Sequence, residues 1–497
     1  QFNNIIKNFT IGVIIKMKKS LTFKDMVLMT MTAILGLRWV AVSAKYGASC
    51  AVLWGIAALL FFIPSALVAA ELGGKYPEQG GLSVWVTKAY GEKMGFLVSW
   101  LNWVSKLFFY PGFVTYAAVT FAYVIDPSLA NNKLYNLFMV LGIFWFITIW
   151  SFRGTGNSKI FAVIGGLVGS VLPALLIIIL GYASAFVLKR PLATPYTLQG
   201  MIPDFSNIAN LALLSSVMFG LTGAEVTAAF AGEVEDAKKT IPKAIIFCAI
   251  FITILYILCS SAITFVVSPE KIGAANGLIE AFRLITEQFG IGQWFLTLMA
   301  VLMTIEALGG VSLYIMSPIT MLFETSKNGV LPPFLTKTNK NGVPINALLV
   351  QGIGISIVII ITTLLPTVNA IYSILIIMTA ITGLIPYLLM FASYIRLKKM
   401  EKLQAKGEST EEFYEISKSK QFSTFVSIVG LISVIFGIVT SFFPPSDYTT
   451  TGQIVFFELL SIGGPILLSW IGWRMFSKYE QKRDTGEIQS TNNSLSE

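Results

Sequence analysis

Glu71-Leu72-Gly73-Gly74-Lys75-Tyr76-Pro77-Glu78-Gln79-Gly80-Gly81 begins where a long apolar segment ends and leads into Trp85-Val86. Pro77 cannot continue a helix, and Gly80-Gly81 permits a tight reversal, so the stretch reads as a compact turn at a membrane interface. The chain around it has 497 residues, 55% hydrophobic and 12% charged, with mean hydropathy +0.75. Soluble domains carry roughly 25% charged residues, so lipid must be the solvent for most of this surface.

Apolar stretches of about 20 residues, long enough to span a bilayer, fall near 23–43, 48–71, 95–125, 134–152, 159–188, 207–231, 242–266, 291–325, 344–364, 369–395, 422–443 and 452–476. That predicts an all-α polytopic membrane protein with twelve transmembrane helices. The amphipathic stretch Leu278 to Ile285 reads as an external interfacial helix, not a further span. With the N-terminus inside, 27 of the 35 Lys and Arg residues fall on the cytoplasmic side and six on the other, with Arg38 and Lys106 within spans. The expectation is a multi-pass protein of the cell (plasma or inner) membrane with both termini cytoplasmic. Residues 1–22 and 477–497 are then cytoplasmic ends, and the loop near 396–421 is solvated. Residues 1–16 precede Met17-Lys18-Lys19, which reads as a natural start, and no small-residue cleavage site of a signal peptide precedes the first span.

Several functions are excluded. The chain has no histidine, and Cys50, Cys248 and Cys259 sit singly in apolar segments, where they read as buried hydrophobes. No metal or other cofactor is expected, no catalytic constellation of an intramembrane enzyme is visible, and nothing resembles a channel filter. The basic residues are dispersed over short loops, which argues against nucleic acid.

Two spans are interrupted at mid-depth. The first reads Thr32-Ala33-Ile34-Leu35-Gly36-Leu37-Arg38-Trp39, the sixth Phe219-Gly220-Leu221-Thr222-Gly223-Ala224-Glu225. Unwound backbone is tolerated in a membrane only where it lines a cavity. Glycine in one span reads equally well as close helix packing. Two interruptions at corresponding positions, each beside an ionisable residue, read as a binding site between broken helices one and six of a five-plus-five inverted repeat. The halves would be 23–188 and 207–395, with 422–476 as two added helices.

The Tyr76-Pro77-Glu78 turn resembles the loop after the second span in the amino acid–polyamine–organocation (APC) superfamily of permeases. Gly223-Ala224-Glu225, Ala231-Gly232-Glu233-Val234, Ile241-Pro242-Lys243-Ala244, Lys327 to Pro333 and Asn339 to Pro344 are similar to its pattern as well. Pro203-Asp204-Phe205-Ser206 and Ser441 to Pro445 resemble the glutamate/GABA-antiporter branch. The resemblance implies a LeuT-type fold and secondary active transport by alternating access: exchange of an amino acid for its decarboxylated amine or another amino acid. Proton-coupled symport and a transporter-like nutrient sensor are the alternatives.

Carried over to this sequence, Gly36 and Leu37 match the broken first helix that holds a substrate carboxylate. Phe219 matches an occluding aromatic, beside Gly220, and Gly223 with Glu225 matches a Gly-x-Glu. Glu225 and Glu306 are the coupling or gating candidates. Arg38 either receives an anionic group or pairs with Glu225 or Glu306; as a binding group it would favour an anionic or zwitterionic amino acid. One departure stands out: where glutamate/GABA exchangers carry an acidic residue on span eight, this chain has Gly310, with Glu306 one turn earlier. Glu71 and Lys106 read as structural charges able to snorkel, and Trp100, Trp103, Trp470 and Trp473 as interfacial belt or helix packing.

Overall fold

The structure, a computed structural model, describes residues 21–76, 81–153, 169–204, 211, 213–223, 234, 236–315, 317–324, 329–340, 342–404, 414–445 and 448–485. Among these residues no strand forms; Leu21 and Val234 make an isolated parallel bridge. The first span is two helices, α1 (Phe23–Ile34) and α2 (Arg38–Ala44). Next come α3 (Gly47–Lys75), α4 (Leu82–Tyr90), α5 (Glu92–Ile125), α6 (Lys133–Ser151) and α7 (Gly169–Phe186). The second half supplies α8 (Leu214–Phe219), α9 (Ala237–Val266), α10 (Gly277–Phe289), α11 (Gln293–Tyr314), α12 (Ser317–Glu324), α13 (Pro333–Thr336), α14 (Ile345–Thr362) and α15 (Val368–Gln404). Then α16 (Lys420–Thr440) and α17 (Thr451–Asp484) follow.

Ten helices among the described residues are long and apolar enough to cross a membrane. They coincide with predicted spans two to five and seven to twelve. Span one crosses in two pieces, and α8 is the described helix of span six. The Tyr76 turn ends in Gly81 with φ +51°, a left-handed value suited to glycine; residues 77–80 of the motif lie outside the described residues. Span eight, expected as one segment, is α11 plus α12. Pro318 has no N–H to give the Tyr314 carbonyl, so the helix cannot run on there.

Proline also shapes helices that do continue. Five-residue-ring turns at Ala58–Phe62 and Leu459–Gly463 each precede a proline, Pro64 or Pro465, and the turn at residues 169–171 precedes Pro173. Each proline removes a donor from the four-residue ladder, and the widened turn reroutes it.

Burial sorts the helices into centre and edge. In the most apolar stretches of α5 and α15, 78% and 83% of residues are buried inside the protein, against 28% and 17% in α16 and α17. The helices after the first ten spans are therefore peripheral. Lipid is as apolar as leucine, so helices associate through close packing and hydrogen bonds instead of hydrophobic drive. Gly430 of α16 lies flat against Phe391 of α15, and Gly472 of α17 against Trp100 of α5, whose Nε1 donates to the Leu468 carbonyl at 2.7 Å. Trp100 is thus a packing residue, while Trp470 and Trp473 face outward. Helix α10 buries Leu278, Ile279, Phe282 and Ile285 and turns Arg283 toward Glu280 and Glu287.

Glu71 holds a structural position, as a buried charge and not a snorkelling one: it is 2% exposed and pairs with Lys398 of α15. Its Oε2 accepts from the Tyr394 hydroxyl at 2.8 Å and the Ile416 amide at 2.9 Å. The described part of the predicted solvated loop, residues 414–419, is therefore docked, and α15 runs on to Gln404. A buried carboxylate needs its lone pairs filled, and it recruits the loop backbone to fill them.

Candidate functional site

Helix α1 ends when the Leu35 amide donates to the Met31 carbonyl, and α2 restarts through the Trp39 amide bonding the Gly36 carbonyl. No side chain caps α2. A residue absent from the sequence reading holds the gap. The Tyr256 hydroxyl of α9 accepts from the Gly36 amide at 3.0 Å and donates to the Ile34 carbonyl at 2.9 Å, with the Gly220 carbonyl 3.5 Å away. One phenol therefore spans the break and touches span six. Past the end of α8 there is a parallel device: Gly223, at φ +125°, donates its amide to the Tyr387 hydroxyl of α15 at 3.1 Å.

The glycines meet on Trp39. A Cβ at Gly36 would lie 3.2 Å from its Cδ1, and one at Gly220 would lie 2.9 Å from its Cγ. Phe219 packs edge-to-face on the same indole, with centroids 5.7 Å apart, and its ring lies over Gly383 of α15. Leu37 is buried behind the break. So Gly36, Leu37, Arg38, Phe219 and Gly220 are brought together around Trp39, with Gly223 three residues further on. Glu225 lies outside the described residues.

Arg38 is 5% exposed, and its Nε and Nη1 find no hydrogen-bond partner among the described residues. Rings surround it: the guanidinium carbon is 4.4 Å from the Trp39 centroid, 4.3 Å from Phe109 and 3.9 Å from Phe113. Inserting a lone arginine at mid-membrane costs about 2.5–3.5 kcal/mol. A desolvated cation–π contact returns about 2 kcal/mol, so the rings offset the insertion without an anion. Lys106 also stacks on Phe109, at 4.5 Å. No space for a water remains in the cleft between Arg38, the rings, Gly112 and Ile376.

No ion pair joins Arg38 to Glu306 among the described residues, although the two feel each other's charge. Glu306 of α11 is 5% exposed, and its buried Oε2 has no partner among the described residues. The departure at Gly310 has a steric cause. A Cβ there would stand 2.6 Å from Phe113 Cε1, so the ring that stacks on Arg38 occupies the place of a longer side chain.

A family model for amino acid permeases matches residues 21–464. An uncharacterized transporter of Legionella pneumophila is 35% identical over 94% of this chain and 98% of its own length. The chain belongs to the amino acid permease family of the APC superfamily. Two Lactococcus lactis relatives differ in the substrates their names carry. A glutamate/gamma-aminobutyrate antiporter is 26% identical, covering 84% of this chain and 83% of its own. A protein named for agmatine/putrescine antiport is 27% identical, covering 81% and 85%. The permease is accordingly a multi-pass membrane protein whose relatives are named as transporters, not enzymes. Relatives of opposite substrate charge at similar identity leave selectivity to the residues of this chain.

Tyr256, Trp39 and Phe113 escaped the sequence reading because aromatics are common in spans. The signal for Tyr256 was a hydroxyl in the otherwise apolar run Leu255-Tyr256-Ile257.

Proposed function

We propose that this permease exchanges amino acids by alternating access, holding its substrate between the breaks of spans one and six. The observation that carries the reading is Arg38: a guanidinium with two donors unpaired among the described residues, held by rings beside the gap of span one. Such a group favours an anionic or zwitterionic amino acid and disfavours a dication. The Gly36 amide already bonds Tyr256, so a substrate carboxylate must displace that hydroxyl or take other amides of the break. Exchange partners are a second amino acid or the amine left by decarboxylation. Residues 23–188 and 207–395 form the two repeats, 422–476 the added pair, and both ends lie in the cytoplasm.

Counterflow in proteoliposomes tests this. Labelled acidic or neutral amino acid should accumulate against unlabelled internal substrate, while arginine and agmatine should not. Gly36→Leu and Gly223→Leu should abolish counterflow in correctly inserted protein, and Arg38→Ala should lose substrate affinity. Normal counterflow in both glycine variants would refute the site. A cysteine at residue 484 that reacts from outside intact cells would refute the orientation. Proton-coupled symport has one observation in its favour, a buried Glu306 Oε2 with no partner among the described residues. Accumulation driven by a proton gradient into empty vesicles would establish it.

A further inference from the structure

A groove of about 310 Å³ lies between α3, α8 and α16, and no residue of the candidate substrate site lines it. Its origin is the widened turn at Ala58–Phe62, which precedes Pro64. Helix α16 packs beside α3 over residues 58–75 and draws away from Cys50–Ala57. Small side chains on facing walls, Ala57 and Ser433, leave the gap unfilled. Among the described residues Ser433 brings the only polar side chain to the walls, and its hydroxyl already donates to the Gly430 carbonyl at 2.8 Å. An apolar cavity of about 150 Å³ stays dry, so a larger one with no polar group to offer is no place for water.

The mouth of the groove is continuous with the surface that faces lipid. Ile56 and Leu60 of α3 and Ile432 and Phe436 of α16 stand exposed on its rim. Leu53 to Phe61 lie about 9–21 Å along α3 from Gly47, at about 1.5 Å per residue, which is hydrocarbon depth in a core about 30 Å thick. At that depth the bilayer offers acyl chains, and a chain seated in a slot gains dispersion contacts on several sides at once. The inner wall is α8. Its Leu214 and Met218 are 6% and 4% exposed, so lipid lying against the outer surface of the bundle does not reach them.

Two wall residues bear on the supports of span six. The Met218 sulfur packs on Gly437 of α16, where a Cβ would stand 2.7 Å away, and the next residue, Phe219, packs on Trp39. The Phe61 ring lies 5.5 Å from that of Tyr387, whose hydroxyl receives the Gly223 amide. A guest that fits the walls in this arrangement stabilises this arrangement against others.

We propose that the groove binds one acyl chain of a membrane phospholipid, and that the bound chain holds α8 in place and slows exchange. The slowing rests on the exchange function proposed above; the binding does not.

The binding is tested on the full-length protein in vesicles of phosphatidylcholine carrying a diazirine midway along one chain, irradiated and mapped by mass spectrometry. Label should reach Leu214–Met218 of α8 as well as the exposed faces. Ser433→Trp, which fills the groove, should lose the α8 label and keep that on exposed Phe138 of α6. Label in wild type on exposed faces alone overturns the site. So does an Ile432→Cys variant that oxidises to a dimer in native membranes, because a second copy then covers the groove. The hold on α8 is tested by counterflow in dioleoyl- and diphytanoyl-phosphatidylcholine, the latter with methyl-branched chains that fit a narrow slot poorly. Wild type should exchange severalfold faster in the branched lipid, while Ala57→Leu and Ser433→Trp should each exchange equally fast in both. The same dependence on lipid in wild type and both variants overturns the hold. Wild type that exchanges no amino acid in either lipid sinks the exchange function, and the α8 label still decides the groove.

Discussion

Glu71 and Glu306 are buried to nearly the same degree, yet the protein treats their carboxyl groups in opposite ways. Around Glu71 an ammonium, a phenol and a backbone amide fill the acceptor positions. Around Glu306 one oxygen has no partner among the described residues, and the Arg38 guanidinium packs on aromatic rings instead. The first arrangement ties α3, α15 and the 414–419 segment together and leaves nothing for a guest. The second keeps charge, donors and a carboxyl unspent in the middle of the bundle. Burial alone therefore does not mark a functional acid here; an unfilled set of partners does.

Breaking the filled set gives the largest expected effect. Glu71→Ala leaves the Lys398 ammonium buried without a counter-charge, and Lys398→Ala leaves the carboxylate with its phenol and amide donors but no counter-charge. Each should remove about 3–5 kcal/mol of stability. Glu71→Gln with Lys398→Met should recover much of it, because the desolvated charges disappear together. Glu306→Gln forfeits no bond seen here and should stay within about 1 kcal/mol of wild type. Thermal unfolding of the purified protein checks all four. If Glu306→Gln falls as far as Glu71→Ala, the contrast between the two acids is wrong.

A smaller effect sharpens the Glu306 side. Gly310→Ala pushes a methyl into the Phe113 ring and should cost about 1–3 kcal/mol by overpacking. The same push moves Phe113 off Arg38, so affinity for the transported amino acid should drop as well. Phe113→Leu in the Gly310→Ala background makes room and should restore stability without restoring affinity. Equal recovery of both would mean that the ring is filler and plays no part in holding Arg38. Melting temperature and counterflow, measured on the same preparations, separate the outcomes.

The fold was largely legible in the chain, because spanning helices are written as apolar length and the breaks as Gly36 and Gly223. The structural role of Glu71 was legible, but its burial was not, for a physical reason. A carboxylate near a span end can snorkel, and sequence does not show that Lys398, 327 residues later, arrives beside it. The site was legible in its polar oddities, Arg38 and Glu306, but not in its supports. Tyr116, Tyr256 and Tyr372 look like ordinary span aromatics until three dimensions show that the Tyr256 hydroxyl bonds a broken backbone, while those of Tyr116 and Tyr372 have no partner among the described residues. Gly310 read as a missing acid; its meaning lies in Phe113, on another helix.

The smallest effect tests whether the 414–419 segment truly rests on Glu71. Burial, and then the neighbouring Glu71 charge, push the Tyr414 phenol up to about 12 from its ordinary 10.0. A group whose pKa rises on folding contributes stability that is whole below its unfolded value. That contribution is therefore intact below about pH 10 and lost as pH climbs through about 12. The difference in phenolate absorbance between wild type and Tyr414→Phe should isolate one late-titrating tyrosine. Glu71→Gln should bring that titration part of the way back toward 10, since it removes the smaller cause and leaves burial in place. Tyr414 titrating at its ordinary value in wild type would mean the segment stands off in water, and Glu71 would then lack the amide that completes its partners.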